Sequence, residues 1–512
     1  MKHGLEVGIE RLTVEQLLEL ARGSETPRLP RDPAWERRID RGVQSIADKL
    51  RAGETIYGVS TGVGDSCETP VPAQLAANLQ SNLIRFHGCG TGRVLSEFES
   101  AAVVAVRLAS LSRGWSAVRR EVLQRLCDLL RHRILPCIPS QGSVGASGDL
   151  TPLSYLAAAL VGEREVYHRG RRVDARAALA EAGLEPLRLE AKEALSLMNG
   201  TSVMTALGCI AFRQSLRLAR LAAGLTAMAS DLIRGNQAHF DGRLFAAKPH
   251  PGQLACARWI AEDIAYDARA PRAVARVQDR YSIRCAPHVI GVLLDAAPLL
   301  RSMLETELNG ADDNPLVDPE SGEVLHGGNF YGGHVCLAMD LLKNTVANLA
   351  DLLDRQMALI CNPALNGGEL PANLVLRKAP DSAAHHGFKA MQISTSALAA
   401  EALKLTMPAS AFSRSTECHN QDKVSLGTIA ARDCLAVIDL TETVAAIHLL
   451  ALCQAFDIRE GADCGPRSQA LHAAVRSRVP VNSADRRMDL DIGEVLAALR
   501  DDALPVGKVD LP

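Results

Sequence analysis

Apolar residues recur along this chain at the spacing of an α-helix far more often than at that of a strand. The run 334–363 places them at 338, 342, 346, 349, 353, 357 and 360, one face of a helix, and Pro363 closes it. The same reading predicts long helices over 204–236, with Gly235 at its end, and over 288–309, with Pro298 as a kink. Two more are expected over 387–406 and 424–456. Thr13 with Gln16, and Ser96 with Glu99, have the spacing of capping boxes, so shorter helices should begin there, the first stopping at Gly23. Two of the long runs carry alanine and leucine on nearly every side. A helix apolar all round is buried, often by neighbouring chains, which predicts a helical homo-oligomer.

Before about residue 200 the pattern changes to shorter helices separated by glycine-bearing loops at 58–67, 88–92 and 142–148. Residues 364–382 read as a long surface loop. After about 461 the chain turns polar, with short helices expected in "SQALHAAVRSRV" and "DIGEVLAALRDD". These shifts suggest an N-terminal domain over 1–200, a long-helix bundle over 201–460 and a C-terminal helical tail over 461–512. The fold class is mostly α.

Composition narrows the function. A chain of 512 residues with 47% apolar and 22% charged residues has the balance of a folded, soluble protein. A net charge of −3 without a dense basic block argues against a nucleic-acid partner. The start lacks the apolar stretch of a signal peptide, and the most apolar run, 444–456, is too short to span a bilayer. Thirteen scattered cysteines without a C-x-x-C pair fit free thiols in a reducing cytoplasm better than disulfides or a metal site.

The candidate chemistry lies in the loops. "GCGTG" (88–92) lacks the preceding strand and later acid of a dinucleotide site, and "GSVGASGD" lacks the ending of a phosphate-binding loop, so no nucleotide is expected. "VQDRYSIRC" spaces Gln278, Tyr281 and Arg284 three apart, on one side of a turn. A guanidinium grips a carboxylate through two parallel hydrogen bonds, which suits Arg284 to an amino or carboxylic acid. "STECHNQDKVS" gathers Glu417, His419, Asn420, Gln421 and Asp422 before a long helix. Each cluster alone could be capping and solvation.

Together with "GSVGASGDLTPLSYLA" (142–157) these stretches resemble the histidine/phenylalanine/tyrosine ammonia-lyase family. Further matches follow in order: "YGVSTGVG", "LQSNLIRFHGCGTG", "KEALSLMNGTS", "VQDRYSIRCAPH", "ELNGADDNPLV", "HGGNFYG" and "STECHNQDKVSLG", covering about residues 10–460. The resemblance implies an ammonia-lyase/fumarase-like fold, with a long central bundle and a smaller N-terminal domain carrying active-site loops. It also implies a homotetramer whose sites take residues from three chains. Its electrophile would be 4-methylidene-imidazol-5-one (MIO), formed when the backbone nitrogen of Gly148 attacks the carbonyl of Ala146 and water is lost, including the Ser147 hydroxyl. The glycines suit this, because only a residue without Cβ lets the backbone fold back so tightly.

By the same resemblance Tyr57 is the base that removes the β-proton, and a tyrosine would need its pKa lowered for that role. Arg284 holds the substrate carboxylate, helped by Asn314 or Tyr281, the latter also implicated in catalysis. Asn199 and Gln278 lie near the MIO and the substrate, Phe330 packs on the ring, Glu417 with Gln421 faces the amine, and Asn420 is a further substrate-binding residue. His87, with Phe86 and Leu150 nearby, stands where substrate choice is made, and a histidine can hydrogen-bond an imidazole or a phenol. "HNQDKVS" is one residue shorter than the usual histidine-lyase motif, which favours tyrosine, converted to trans-4-coumarate. Val63, His288 and Tyr331 stand where other residues are common in the family. The alternatives are a histidine ammonia-lyase giving urocanate, a tyrosine or phenylalanine 2,3-aminomutase, and a helical scaffold without activity. Neither a metal nor a membrane or nucleic-acid partner is expected.

Overall fold

The long helices expected from apolar spacing are present in the computed structural model, which describes residues 4–270, 273–376, 382–460, 464–509 and 511. Helices make up 59% of the protein. The longest are Ser202–Leu232, Ala286–Leu308, Gly333–Cys361 and Gly427–Ile458, with Lys389–Lys404 shorter; Pro298 lies inside the second. Both capping boxes form, at Thr13/Gln16 and Ser96/Glu99, and Gly23 ends its helix in the left-handed conformation. β-Structure among the described residues is limited to strands of two to four residues in four small sheets. The tail carries helices Pro466–Arg476 and Asp489–Arg500.

Two expectations need correction. The apolar run 444–456 is part of the 32-residue helix Gly427–Ile458, which by length and composition could cross a bilayer, as could Tyr281–Leu308. Of their most apolar windows 78% and 50%, respectively, are buried within the protein, so in the first helix burial rather than shortness accounts for the apolar character. Residues 364–382 hold a helical turn, Pro363–Asn366, and a 3₁₀ turn, Ala372–Leu374, and are not one irregular loop; 377–381 lie outside the described residues. None of the thirteen cysteines is disulfide-bonded.

The protein divides into two compact units. The first comprises Met1–Ala211, Arg301–Asp340 and Pro408–Arg432. Within it the fully buried helix segment Ala101–Leu111 packs on Val14–Arg22 and Arg120–His132. Strands Thr91–Val94 and Pro139–Gln141 pair antiparallel, so the "GCGTG" loop lies beside the approach to Ala146-Ser147-Gly148. The second unit comprises Phe212–Leu300, Leu341–Met407 and Asp433–Pro512. Its core is mostly aliphatic with Phe212, Phe240, Phe245, Trp259 and Phe388 also buried, and Arg220 and Asp263 form a buried ion pair joined by Arg467.

Candidate active site

The segment 142–149 is held folded back on itself. Gly145 and Gly148 form a backbone bridge, Ser147 takes a left-handed φ of +51° and Gly148 one of +75°. Gly148 lies against the backbone of Gly200: a methyl group there would meet the Gly200 carbonyl oxygen at 2.1 Å. Gly200 N–H donates to Ser147 O at 3.2 Å, and Gly200 O accepts from Asp149 N–H at 2.7 Å. A reversed turn with Cβ-free closure at Gly148 is the conformation that ring closure onto Ala146 demands, so the residues fit an MIO.

Asp149 fastens this turn from below. Its position precedes the helix Leu150–Leu160, yet its carboxylate accepts N–H bonds from Val203 and Met204, at 3.0 and 2.9 Å, at the start of Ser202–Leu232. The hydroxyls of Ser143 (2.9 Å) and Thr428 also donate to it. Burial pushes its carboxyl up to about 6, against the lowering effect of these four donors.

A cavity of about 830 Å³, entirely within the first unit, opens over the triplet. Of the residues singled out from sequence, it brings together Tyr57, His87, Ala146, Ser147, Leu150, Asn199, Asn314, Phe330, Glu417, Asn420 and Gln421. Gln278, Tyr281 and Arg284 belong to the second unit and do not line it. Tyr281 and Arg284 do share one helical turn, with the guanidinium 4.6 Å over the phenol ring, while Gln278 is exposed in the preceding loop. Arg284 donates only to its own turn, at Asp279 O, and has no ion pair among the described residues.

Each side chain at the cavity has a local cause. The Tyr57 hydroxyl oxygen accepts from Gly64 N–H at 2.8 Å. Burial raises its pKa, the Gly64 bond opposes this, and Cys67 and Glu417 add to the rise. This is opposite to the lowering that a base would need. Glu417 accepts from Asp65 N–H at 3.0 and 3.1 Å, tying the loop at 415–421 to the loop that carries Tyr57. Gln421 donates to the Ser147 hydroxyl at 3.3 Å. Asn199 donates to Asn314 O at 2.7 Å, Asn314 Oδ1 accepts from Gly327 N–H, and Asn199 Oδ1 is buried without a protein partner. His87 follows the helix Ala76–Phe86 with Nδ1 2.9 Å from Leu83 O. A carbonyl only accepts, so Nδ1 carries the proton and Nε2 is left as an acceptor. Burial lowers the His87 pKa, the Leu83 bond opposes this, and Arg164 reinforces the lowering.

Sequence reasoning missed other lining residues: Ser66 and Cys67 on the Tyr57 loop, Leu195 and Met198 before Asn199, His326 and Gly327, and Lys423. His326 stands edge-on to Tyr57, with ring centroids 6.5 Å apart. Its signal was its place in "HGGNFYG", and that of Lys423 its place in "HNQDKVS".

A helical fold whose loops press a small-residue triplet back on itself beneath a cavity with a tyrosine has the features expected of an aromatic amino acid lyase. The protein matches the aromatic amino acid lyases over residues 12–477 and belongs to that family of MIO-dependent carbon–nitrogen lyases. It is 39% identical to a histidine ammonia-lyase of Koribacter versatilis over 478 residues, 90% of this chain and 91% of that one. Among solved structures it is similar to a tyrosine aminomutase from Streptomyces globisporus (TM-score 0.90, 35% identity, 99% and 100% of the two chains). It also matches a histidine ammonia-lyase from Trypanosoma cruzi (0.87, 32%, 97% and 93%). The preference for tyrosine read from the short "HNQDKVS" motif is not supported by the sequence relatives, which are histidine ammonia-lyases and fit the histidine alternative better.

Proposed function

We propose that this protein is a cytoplasmic, homotetrameric histidine ammonia-lyase that converts L-histidine to urocanate and ammonia. The observation that carries the reading is the likeness to histidine ammonia-lyases along nine-tenths of the chain. The acceptor nitrogen of His87 agrees with it, since an imidazole N–H is a donor. A tyrosine lyase or 2,3-aminomutase is the second reading, favoured by the likeness to the Streptomyces enzyme and by a phenol being a donor too.

The difficulty of the reaction is a poor leaving group beside a weakly acidic β-hydrogen. An MIO formed from Ala146, Ser147 and Gly148 would supply the electrophile that makes the amine a better leaving group. Gln421, donating to the Ser147 hydroxyl, helps that hydroxyl leave as the ring forms. Tyr57 takes the β-proton. Burial works against its ionisation, so a positive charge has to be brought near: the substrate ammonium, and Arg284 from a neighbouring chain. Arg284, without a carboxylate partner among the described residues, holds the substrate carboxylate with Tyr281 or Asn314, and Gln278 approaches with it. Phe330 and Leu150 wall the ring, Asn199 steadies the cradle, and Glu417 with Asn420 faces the amine. Val277, Tyr281, Val292 and Ile393 remain exposed on the second unit, which supports burial by other copies.

The test is to incubate the purified protein separately with L-histidine, L-tyrosine and L-phenylalanine, follow ultraviolet absorbance, and separate β-amino acids chromatographically. Urocanate supports the reading. Coumarate, or a β-amino acid accumulating first, would replace it with the tyrosine lyase or the aminomutase.

A further inference from the structure

Behind the cradle, Thr201 raises a matter of proton count. Its single hydroxyl lies 2.7 Å from Glu307 Oε1 and 2.9 Å from Asp312 Oδ2. One hydroxyl proton can serve only one of two carboxyl groups, so the other must donate to the hydroxyl oxygen. Asp312 is the ionised member. It is buried against the fully buried Arg107 at 2.6 Å, and it accepts from Thr201 N–H at 2.7 Å and from the Ser110 hydroxyl. That leaves Glu307 as the donor.

We infer that Glu307 is held as a neutral carboxylic acid that donates to Thr201 and so fixes the backbone on which the Ala146-Ser147-Gly148 ring forms. The inference rests on the MIO reading of the site, and Glu307 is a positioning residue within it. The link is short: Thr201 follows Gly200, which holds Ser147 and Asp149 by main-chain hydrogen bonds and packs on Gly148. Arg107 completes the frame by donating to Asn199 O at 3.1 Å. The charges facing Glu307 from packed elements agree. Burial, then the negative charges of Asp312 and Asp149, push its carboxyl up to about 7, while the Thr201 bond acts the other way. On its own helix, Arg301 is occupied by Glu15 and Glu305. An ionised Glu307 would set a second negative charge against the same hydroxyl.

The experiment compares the full-length wild type with Glu307→Gln and Glu307→Leu. Infrared difference spectra, wild type minus Glu307→Gln at pH 6, should show the carbonyl stretch of a neutral acid that moves in D₂O. Intact mass reads ring formation as the loss of two waters, and steady-state kinetics split kcat from KM. The Gln variant, which keeps a neutral donor, should rescue what Leu loses: Leu is expected to fall about tenfold in kcat or in the dehydrated fraction at little-changed KM, and Gln to stay within about threefold. A carboxylate band in place of the neutral-acid band, or a Leu variant as competent as Gln, overturns the inference. If Leu does not fold, the infrared comparison decides alone. A wild type that never loses two waters would sink the MIO reading instead, and the infrared band would still judge Glu307.

Discussion

Replacing Gly148 with alanine tests whether the triplet is braced by the backbone of Gly200. Gly148 has a φ of +75°, and a methyl group on it would lie 2.1 Å from the Gly200 carbonyl oxygen and 2.5 Å from its carbonyl carbon. Both are main-chain atoms. Gly200 cannot easily retreat, because a methyl group on it would in turn lie 2.2 Å from Arg107 Nη1, the measure of how closely that side is packed. Left-handed backbone costs an L-residue about 1–2 kcal/mol. Overpacking adds about 1–3 kcal/mol, so the variant should lose about 2–5 kcal/mol. Gly170 provides the control: its φ is +73° with nothing within 4 Å of the added methyl group, so Gly170→Ala carries the backbone term alone. Denaturant midpoints at one protein concentration give the difference, and intact mass reports the loss of two waters. A Gly148→Ala protein that unfolds with Gly170→Ala and still loses two waters would refute the bracing.

Four further outcomes are expected. Ser147→Ala should abolish both the loss of two waters and turnover while leaving the denaturant midpoint in place; turnover at the wild-type rate contradicts the self-made electrophile. His87→Phe should cut kcat/KM for L-histidine at least about tenfold, as the buried ring N–H loses its acceptor, while sparing L-phenylalanine; equal losses on both substrates would remove His87 from substrate choice. Arg284→Lys should raise KM about tenfold with less effect on kcat, because the two-pronged contact is lost, and an unchanged KM would take it out of the carboxylate role. His448 is fully buried and depressed to about 3 by desolvation, so below pH 6.5 the unfolded chain binds a proton that the native one refuses. Stability therefore falls as pH falls, by about 2 kcal/mol between pH 6.5 and 5, and His448→Leu should flatten that slope; parallel denaturation profiles would contradict it.

What was legible in the sequence was whatever a short window encodes. Capping boxes at Thr13 and Ser96 are written in residues three apart, and the long helices in a repeat every three or four. The same holds for the reversed turn at 145–148, because glycine at 145 and 148 leaves few other uses for so permissive a backbone. What was not legible depends on partners hundreds of positions away. Asp149 directly precedes a helix in the chain, but its carboxylate serves Val203, Met204 and Thr428. Glu307 reads as one more polar residue at a helix end until Thr201 and Asp312 are seen around one proton. The length of "HNQDKVS" is a local feature too, and it pointed away from the substrate that whole-chain likeness favours, since one loop's length need not track which ring the cavity accepts.

The Tyr57 environment joins these threads. Within the first unit its phenol has one donor, the Gly64 N–H, against burial and the negative charge of Glu417, and the balance is an upward pKa. Lys423 lines the same cavity but does not enter the balance at Tyr57. Arg284 is one candidate for a cation there, with its guanidinium stacked on Tyr281 and, among the described residues, bonded only to Asp279 O. It lies in the second unit and does not line this cavity. The arrangement makes sense if the cation reaches Tyr57 only when chains assemble and substrate enters, so that the base is weak until there is a proton worth taking. On that proposed assembly, diluting the protein should cut turnover per chain before it shifts the denaturant midpoint, and the two falling together would contradict a shared site.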